Sequence, residues 1–337
     1  MSQAYKIIIP MAGYGSRMRP LTWSRPKPLL PLAGKTVLDY ALDQFTTLPG
    51  IDDAEFVFIT SPNQGDAIER FMQQEHPAKK VHFVTQPQMR GQSHALWCAR
   101  EYLAGPALVA FSDTLIETDL KFIPDEKMDA VAFVKAVEDP RRFGVIELNE
   151  QGVATRLVEK PQDKSNNLVL VGFYFFQDAT MLLRAIEEQI HRGVSLKGEY
   201  FLTDAINIFI EQGGRIRKEQ INTWLDAGIP AAVLETNRHM LDHEKVRITT
   251  DSGLPGVAIL PPVTIAEGVK LENCVIGPHV SIGRGCVLKN VVISDSIVDE
   301  NTVIENKILN ASIIGRDVIC TGGVSTLFLG DNTRLID

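Results

Sequence analysis

Chemistry gathers first in one stretch near the start of the chain, residues 7–32, IIIPMAGYGSRMRPLTWSRPKPLLPL. Gly13 and Gly15 bracket Tyr14, and Ser16 and Arg17 follow at once. Glycines there let the backbone take positive φ and let a phosphate come close to the amide N–H groups. Arg17, Arg19, Arg25 and Lys27 bring four cations into a segment whose residues 11–30 hold no acid. Pro26 and Pro28 flank Lys27 and fix φ on both sides of it. A glycine turn, an arginine and a proline-clamped lysine together make a cradle for a polyphosphate.

Two familiar phosphate loops do not fit. The dinucleotide fingerprint G-x-G-x-x-G has Met18 where its third glycine belongs. The Walker A ending Gly34-Lys35-Thr36 has Leu29 where its first glycine belongs. A surface loop with solvated arginines is the bland alternative for a lone G-x-G. A second chemical feature is Asp113, immediately beyond the apolar run 107–111. A carboxylate at that place suits a hard divalent cation near phosphates, or else serves as a turn or N-cap aspartate.

The combined pattern G-x-G-S-R-x-x-P-L-T-x-x-x-P-K-P closely resembles the signature of the sugar-1-phosphate nucleotidyltransferases, with Ala12 where that family usually has glycine. The resemblance continues in order to about residue 240. Gln86 to Gly91 matches the base-reading Q-P-x-x-x-G, in which the carboxamide would offer a donor and an acceptor to a pyrimidine edge and Gly91 would let the base lie close to the backbone, although Gln92-Ser93-His94 departs from the usual small residues. Asp113 matches the metal-binding aspartate, with Ser112 in place of a glycine. Phe143-Gly144-Val145 and Glu159-Lys160-Pro161 match the sugar-site motifs, and the run KSNNLVLVGFYFF, with Gly172 and Tyr174, resembles the thymidylyltransferase pattern. Gly198-Glu199-Tyr200 with Thr203-Asp204 matches a further sugar-holding motif, and Trp224-Leu225-Asp226-Ala227-Gly228 the second metal carboxylate.

The resemblance implies an enzyme that joins an NTP and a sugar 1-phosphate into an NDP-sugar and pyrophosphate, with Mg²⁺ on Asp113 and Asp226. Ala12, Gly13, Gly15, Ser16, Arg17, Gln86 and Gly91 would bind the nucleotide. Gly144, Glu159, Lys160, Gly172 and Glu199 would bind the sugar phosphate, and Arg17, Lys27 and Asp113 would carry the catalysis. Glucose 1-phosphate with dTTP or UTP is the favoured pairing. A guanylyltransferase of mannose 1-phosphate, an amino-sugar uridylyltransferase and a regulatory subunit stay open.

The elements that must hold these residues read as α/β. Strands at 7–9, 56–59, 81–84 and 107–111 alternate with helices at 36–48, 62–75 and 92–103, and helices follow at 181–190, 200–210 and 230–240. Such alternation builds a Rossmann-like, mostly parallel sheet covered on both faces. Beyond residue 257 the pattern changes. Ile276, Ile282, Leu288, Ile293, Val298, Ile304, Leu309 and Ile314 recur every five or six residues with turn residues between them. This resembles the hexapeptide left-handed β-helix, of about three to four coils, with Phe328 and Leu329 capping its end. Val275, Val292 and Ile313 are expected among aliphatics left outside the narrow core, where they would favour homo-oligomers. The expected division is a catalytic domain at 1–243, a linker at 244–256 and the β-helix at 257–337.

A net charge of −8 over 337 residues argues against a general nucleic-acid partner. Cys98, Cys274, Cys286 and Cys320 lie far apart, without zinc spacing, and read as reduced thiols. With no signal peptide and no membrane-length apolar run, the expected setting is the cytoplasm, with no membrane partner.

Overall fold

The computed structural model describes residues 4–243, 247–248, 256–322 and 324–335; most of the segment read as a linker lies outside them. Backbone contacts divide the chain into two compact units. The first joins Met1–Gly13 to Ala41–Trp224, and the second joins Tyr14–Tyr40 to Leu225–Asp337. The opening loop and the last helix before the repeats therefore group with the repeats.

In the first unit, β1 (Lys6–Pro10) is central because Ile7, Ile8 and Ile9 are apolar on both faces and fully buried. It pairs in parallel with β2 (Glu55–Thr60), which pairs in parallel with β3 (Lys80–Thr85). On its other side it is parallel to β4 (Ala107–Ala110). The crossovers are α2 (Gly65–Glu75), after α1 (Val37–Asp43) earlier in the chain, and α3 (Gln92–Cys98). Both α1 and α3 are shorter than their apolar patterns: at the end of α3 the Ala99 amide reaches the Leu96 carbonyl, tightening the chain into a 3-10 turn at Arg100–Tyr102.

The far side of the sheet adds β5 (Ala130–Ala136), β6 (Gly144–Leu148), β7 (Ala154–Glu159), β8 (Leu168–Phe176) and β9 (Ile216–Gln220). The order is β7-β6-β8-β4-β1-β2-β3, with β5 pairing β8 and β9, nine strands in all. β8 runs antiparallel to β4, β5 and β6. Its register shifts between Leu170 and Tyr174, around Gly172 at φ 80°. α4 (Ala179–Arg192) and α5 (Leu202–Glu211) pack their apolar faces into the same core. Asp178 caps α4 by accepting the Thr180 amide at 3.0 Å, and Gly193 ends it in the left-handed region.

In the second unit the repeats form a left-handed β-helix built from all-parallel six- and eight-stranded sheets. The eight recurring aliphatics, Ile276 to Ile314, are at most 2% exposed and line its core. A ladder of Asn273, Asn290 and Asn306 turns one corner, hydrogen-bonded at 3.2 and 2.9 Å and stepping 17 and then 16 residues. All three hold φ near +50°, a conformation that asparagine tolerates better than most residues. Phe328 and Leu329 close the six-stranded sheet as its last strand, pairing with Ile313 and Ile314. Val292 and Ile308 do lie exposed on one sheet. Ile313 does not. It is buried with Ile297, Ser281 and Thr264 on the other sheet, which α6 (Pro230–His243) and the opening loop cover.

Candidate active site

Within the first unit, β1 delivers the chain to Met11, whose amide donates to the Ile59 carbonyl at 2.8 Å. Ala12 is buried, so the methyl that replaces a glycine points into the protein. Gly13 is exposed with open space where a Cβ would stand, and its carbonyl accepts from Gln64 Nε2 at 3.4 Å.

The cation-rich loop is held inside the second unit. Gly15 sits at φ 59°, and a Cβ there would lie 3.1 Å from Thr22 Cγ2 and 3.4 Å from Lys27 Cβ. Thr22 Oγ1 donates to the Gly15 carbonyl at 2.8 Å. A 3-10 turn at Ser16–Met18 buries Met18 and leaves Ser16 and Arg17 exposed. Lys27 opens a second 3-10 turn, Lys27–Leu29, between the buried rings of Pro26 and Pro28. Arg25 departs from the expectation of a cation facing phosphate. Its guanidinium is turned inward onto Asp299 at 2.6 Å and onto the Leu29 carbonyl at 3.2 Å. A buried carboxylate is a stronger draw for Arg25 than solvent, which leaves Arg17, Arg19 and Lys27 as the candidate cations of this loop.

Each metal-candidate carboxylate sits in a tight turn. Asp113 lies in the turn closed by the Thr114 amide on the Phe111 carbonyl at 3.0 Å. That turn is riveted to β8: the Phe111 amide donates to Gly172 O at 3.0 Å and Thr114 Oγ1 to Val171 O at 2.7 Å. A Cβ on Gly172 would stand 2.4 Å from Phe111 Cδ2, so the glycine belongs to the turn that presents Asp113. In the second unit, Asp226 ends the strand Thr223–Asp226, and its Oδ1 accepts the Gly228 amide at 2.7 Å. Thr236 Oγ1 of α6 donates to the Asp226 carbonyl at 2.9 Å.

The sugar-side residues meet in the first unit. Glu159 ends β7, and its Oε2 accepts from Thr203 Oγ1 at 3.3 Å. A Cβ on Gly144 would lie 3.2 Å from the same oxygen and 3.1 Å from Thr203 Cγ2, so these three are in contact. Burial pushes the Glu159 carboxyl above its ordinary range, opposed by the Lys160 charge and the Thr203 hydrogen bond. Lys160 takes φ 49° and donates its amide to the Phe143 carbonyl at 3.0 Å. Its ammonium, half exposed, lies 4.0 Å from Glu159 and 5.0 Å from the centre of the Phe201 ring. Thr203 was legible only as part of a motif credited to its neighbours. Asp204 is half-buried, its carboxyl raised by that burial. Glu199 stays exposed in a turn that it closes with Leu196 through reciprocal 3.0 Å backbone bonds, and the described contacts do not join it to the Glu159 group.

Gln86 is 3% exposed, and its amide NH₂ donates to Gly91 O at 3.1 Å and faces His94 Nδ1 at 3.1 Å. Burial and the nearby Arg90 charge lower the His94 pKa, which favours the neutral ring. Gly91, at φ 97°, is demanded by the protein itself: a Cβ would strike the Tyr200 carbonyl oxygen at 2.5 Å. The departure Gln92-Ser93-His94 is thereby explained in part. Ser93 Oγ donates to Phe201 O at 3.0 Å, and His94 seats Gln86. In the second unit His279 is held by Asp242 at 2.8 Å and Asp295 at 3.5 Å and braces α6 on the solenoid.

The model described as nucleotidyl transferase matches residues 6–243. The chain belongs to the nucleotidyl transferase family. It is 28% identical to a glucose-1-phosphate thymidylyltransferase of Streptomyces griseus, over 98% of both chains. It is 33% identical to a bifunctional protein GlmU of Methanocaldococcus jannaschii, over 83% of this chain and 60% of that one. Among solved structures, UDP-glucose pyrophosphorylase complexed with UDP-glucose superposes with a TM-score of 0.60 at 22% identity, covering 72% of this chain and all of that one. This likeness shows the shared fold. The transferase is therefore an enzyme whose candidate residues fall on the matched segment. No helix among the described residues is long and apolar enough to cross a membrane.

Proposed function

We propose that this enzyme transfers a nucleotidyl group from dTTP or UTP to glucose 1-phosphate, releasing pyrophosphate. The observation that carries the sugar-phosphate part is the end of β7. There a partly buried carboxylate acceptor, Glu159, adjoins a half-exposed ammonium, Lys160, which pairs hydroxyl recognition with phosphate recognition. The relative named a glucose-1-phosphate thymidylyltransferase, alike over nearly the whole chain, supports glucose and thymidine. For the base, Gln86 already uses its NH₂ twice inside the protein, and its carbonyl oxygen suits the ring N–H of uracil or thymine.

In the reaction, an oxygen of the sugar phosphate attacks the α-phosphorus and the bond to the β-phosphate oxygen breaks. The sugar phosphate is already an anion, so no side chain needs to remove a proton. Catalysis is then mostly positioning and charge neutralisation. Amides of the Gly13–Ser16 turn and Arg17 hold the departing phosphates, Lys27 neutralises charge in the transition state, and Lys160 orients the nucleophile. Asp113 and Asp226 are each a hard oxygen donor set in a fixed turn, the chemistry that would suit Mg²⁺. When bound, that ion would withdraw charge from the α-phosphate.

The test is pyrophosphate release across a grid of NTPs and sugar 1-phosphates. UTP or dTTP with glucose 1-phosphate should have the highest kcat/KM. A preference for GTP with mannose 1-phosphate, or for an amino-sugar phosphate, overturns the substrate choice.

A further inference from the structure

The opening loop is fastened to the solenoid at several points inside the second unit. Asp299, just beyond the strand Ile297–Val298, meets Arg25 at 2.6 Å with side chains only 5% and 12% exposed. Ser24 Oγ donates to Asp331 at 2.5 Å, and a Cβ on Gly330 would stand 2.8 Å from the Pro20 carbonyl oxygen. Asn237 Oδ1 of α6 accepts both the Ala33 amide at 2.9 Å and Ser281 Oγ at 2.7 Å. A Cβ on Gly34 would lie 2.9 Å from Thr264 Oγ1. The tethers thus bracket the loop from residue 20 to residue 34.

The Asp299 tether leads furthest toward the phosphate cradle. Arg25 Nη1 bonds Asp299 and the Leu29 carbonyl together, and Leu29 closes the 3-10 turn that Lys27 opens. Lys27 Cβ in turn packs where Gly15 has no side chain, and Thr22 pins the Gly15 carbonyl. A continuous line of contacts runs from the solenoid to the glycine turn. A buried arginine–carboxylate pair is a poor source of net stability, because both charges lose their water. Its two hydrogen bonds, both from Nη1, fix geometry instead by joining Asp299 to the Leu29 carbonyl.

We propose that Asp299 is a positioning residue for the nucleotide loop, holding Lys27 and the Gly15 turn in place through Arg25. This rests on the assignment of that loop to the NTP. The β-helix then acts on turnover directly, by setting the shape of the loop, and its contribution is distinct from any part in assembly.

The experiment compares full-length wild type with Asp299→Asn, Arg25→Lys, Arg25→Gln and the Asp299→Asn/Arg25→Gln double variant. Amide hydrogen exchange of residues 14–30 is read without substrate, and KM for each substrate is read with kcat. Asp299→Asn keeps the shape and loses the charge. Arg25→Lys keeps the charge and leaves the solenoid untouched, yet its ammonium ends one bond short of the Nη1 position that reaches both Asp299 and the Leu29 carbonyl, so it tests the idea even if the Asp299 variant folds poorly. Both should speed exchange in the loop and lower kcat/KM for the NTP by about 10- to 100-fold, the cost of misplacing a reacting group by about 1 Å. KM for the sugar phosphate should hold, and the double variant should be no worse than Arg25→Gln alone. Unchanged loop exchange overturns the anchoring. Faster exchange with both kcat and NTP KM unchanged leaves the anchor and overturns the loop's assignment to the nucleotide. An equal rise in both KM values makes Asp299 a general stabiliser and overturns the positioning role.

Discussion

Gly172→Ala tests how β8 presents Asp113. The position sits at φ 80°, where an L-residue costs roughly 1–2 kcal/mol. The new Cβ would also stand 2.4 Å from Phe111 Cδ2 and 3.2 Å from Thr114 Oγ1. Ordinary contact begins near 3.4 Å, so something must move by about 1 Å, and overpacking of this kind costs about 1–3 kcal/mol. Together these make a loss of roughly 2–5 kcal/mol, or a Tm lower by about 4–20 °C for a unit of this size. The Phe111–Thr114 turn cannot yield without disturbing its bonds to Gly172 and Val171, so Asp113 moves with it. A displacement of about 1 Å at a reacting centre can reduce kcat by about 10²-fold. Thermal unfolding and pyrophosphate release measure the two effects on one preparation. Wild-type Tm and kcat in this variant would refute the steric reasoning. A lower Tm with wild-type kcat would detach Asp113 from the chemistry.

Lys27→Ala should lower kcat by roughly 10²–10³, the scale for one preorganised charge-stabilising donor. Lys160→Ala should fall mainly on KM for the sugar phosphate, and steady-state kinetics with each substrate varied separates the two. Asp113→Asn and Asp226→Asn should each cripple turnover with circular dichroism unchanged. EDTA should abolish wild-type activity and Mg²⁺ restore it, whereas full activity in both variants without metal would remove their assignment. Burial lifts the Asp299 carboxyl from 3.8 to about 6, with the Arg25 charge opposing and the Asp331 and Glu300 charges adding to the rise. Its proton is bound more tightly in the folded than in the unfolded chain. Stability from this group is therefore fully present below about pH 4 and lost as pH rises to about 6, by on the order of 3 kcal/mol. Denaturant midpoints across that interval should fall for wild type, and Asp299→Asn should remove that part of the fall.

What the chain declared in advance was whatever depends on neighbours in sequence. The apolar run Ile7–Ile9 specifies a strand buried on both faces, and the interval from Ile276 to Ile314 specifies a solenoid, because backbone geometry alone decides which side a residue faces. The Gly15 turn and the proline clamp on Lys27 were legible for the same reason. Tertiary structure decided what depends on partners far along the chain. Arg25 looked like one more cation of the cradle until Asp299, 274 residues away, took it. Gly91 is required by the nearness of the Tyr200 backbone, and Gly172 by that of Phe111, neither of which a local stretch shows. Ile313 was expected on an open face and is covered, because its sheet is the one on which α6 and the opening loop rest. A residue's type sets which contacts it can make; which of them it does make depends on which distant group the fold brings within reach, and that is written in no local stretch.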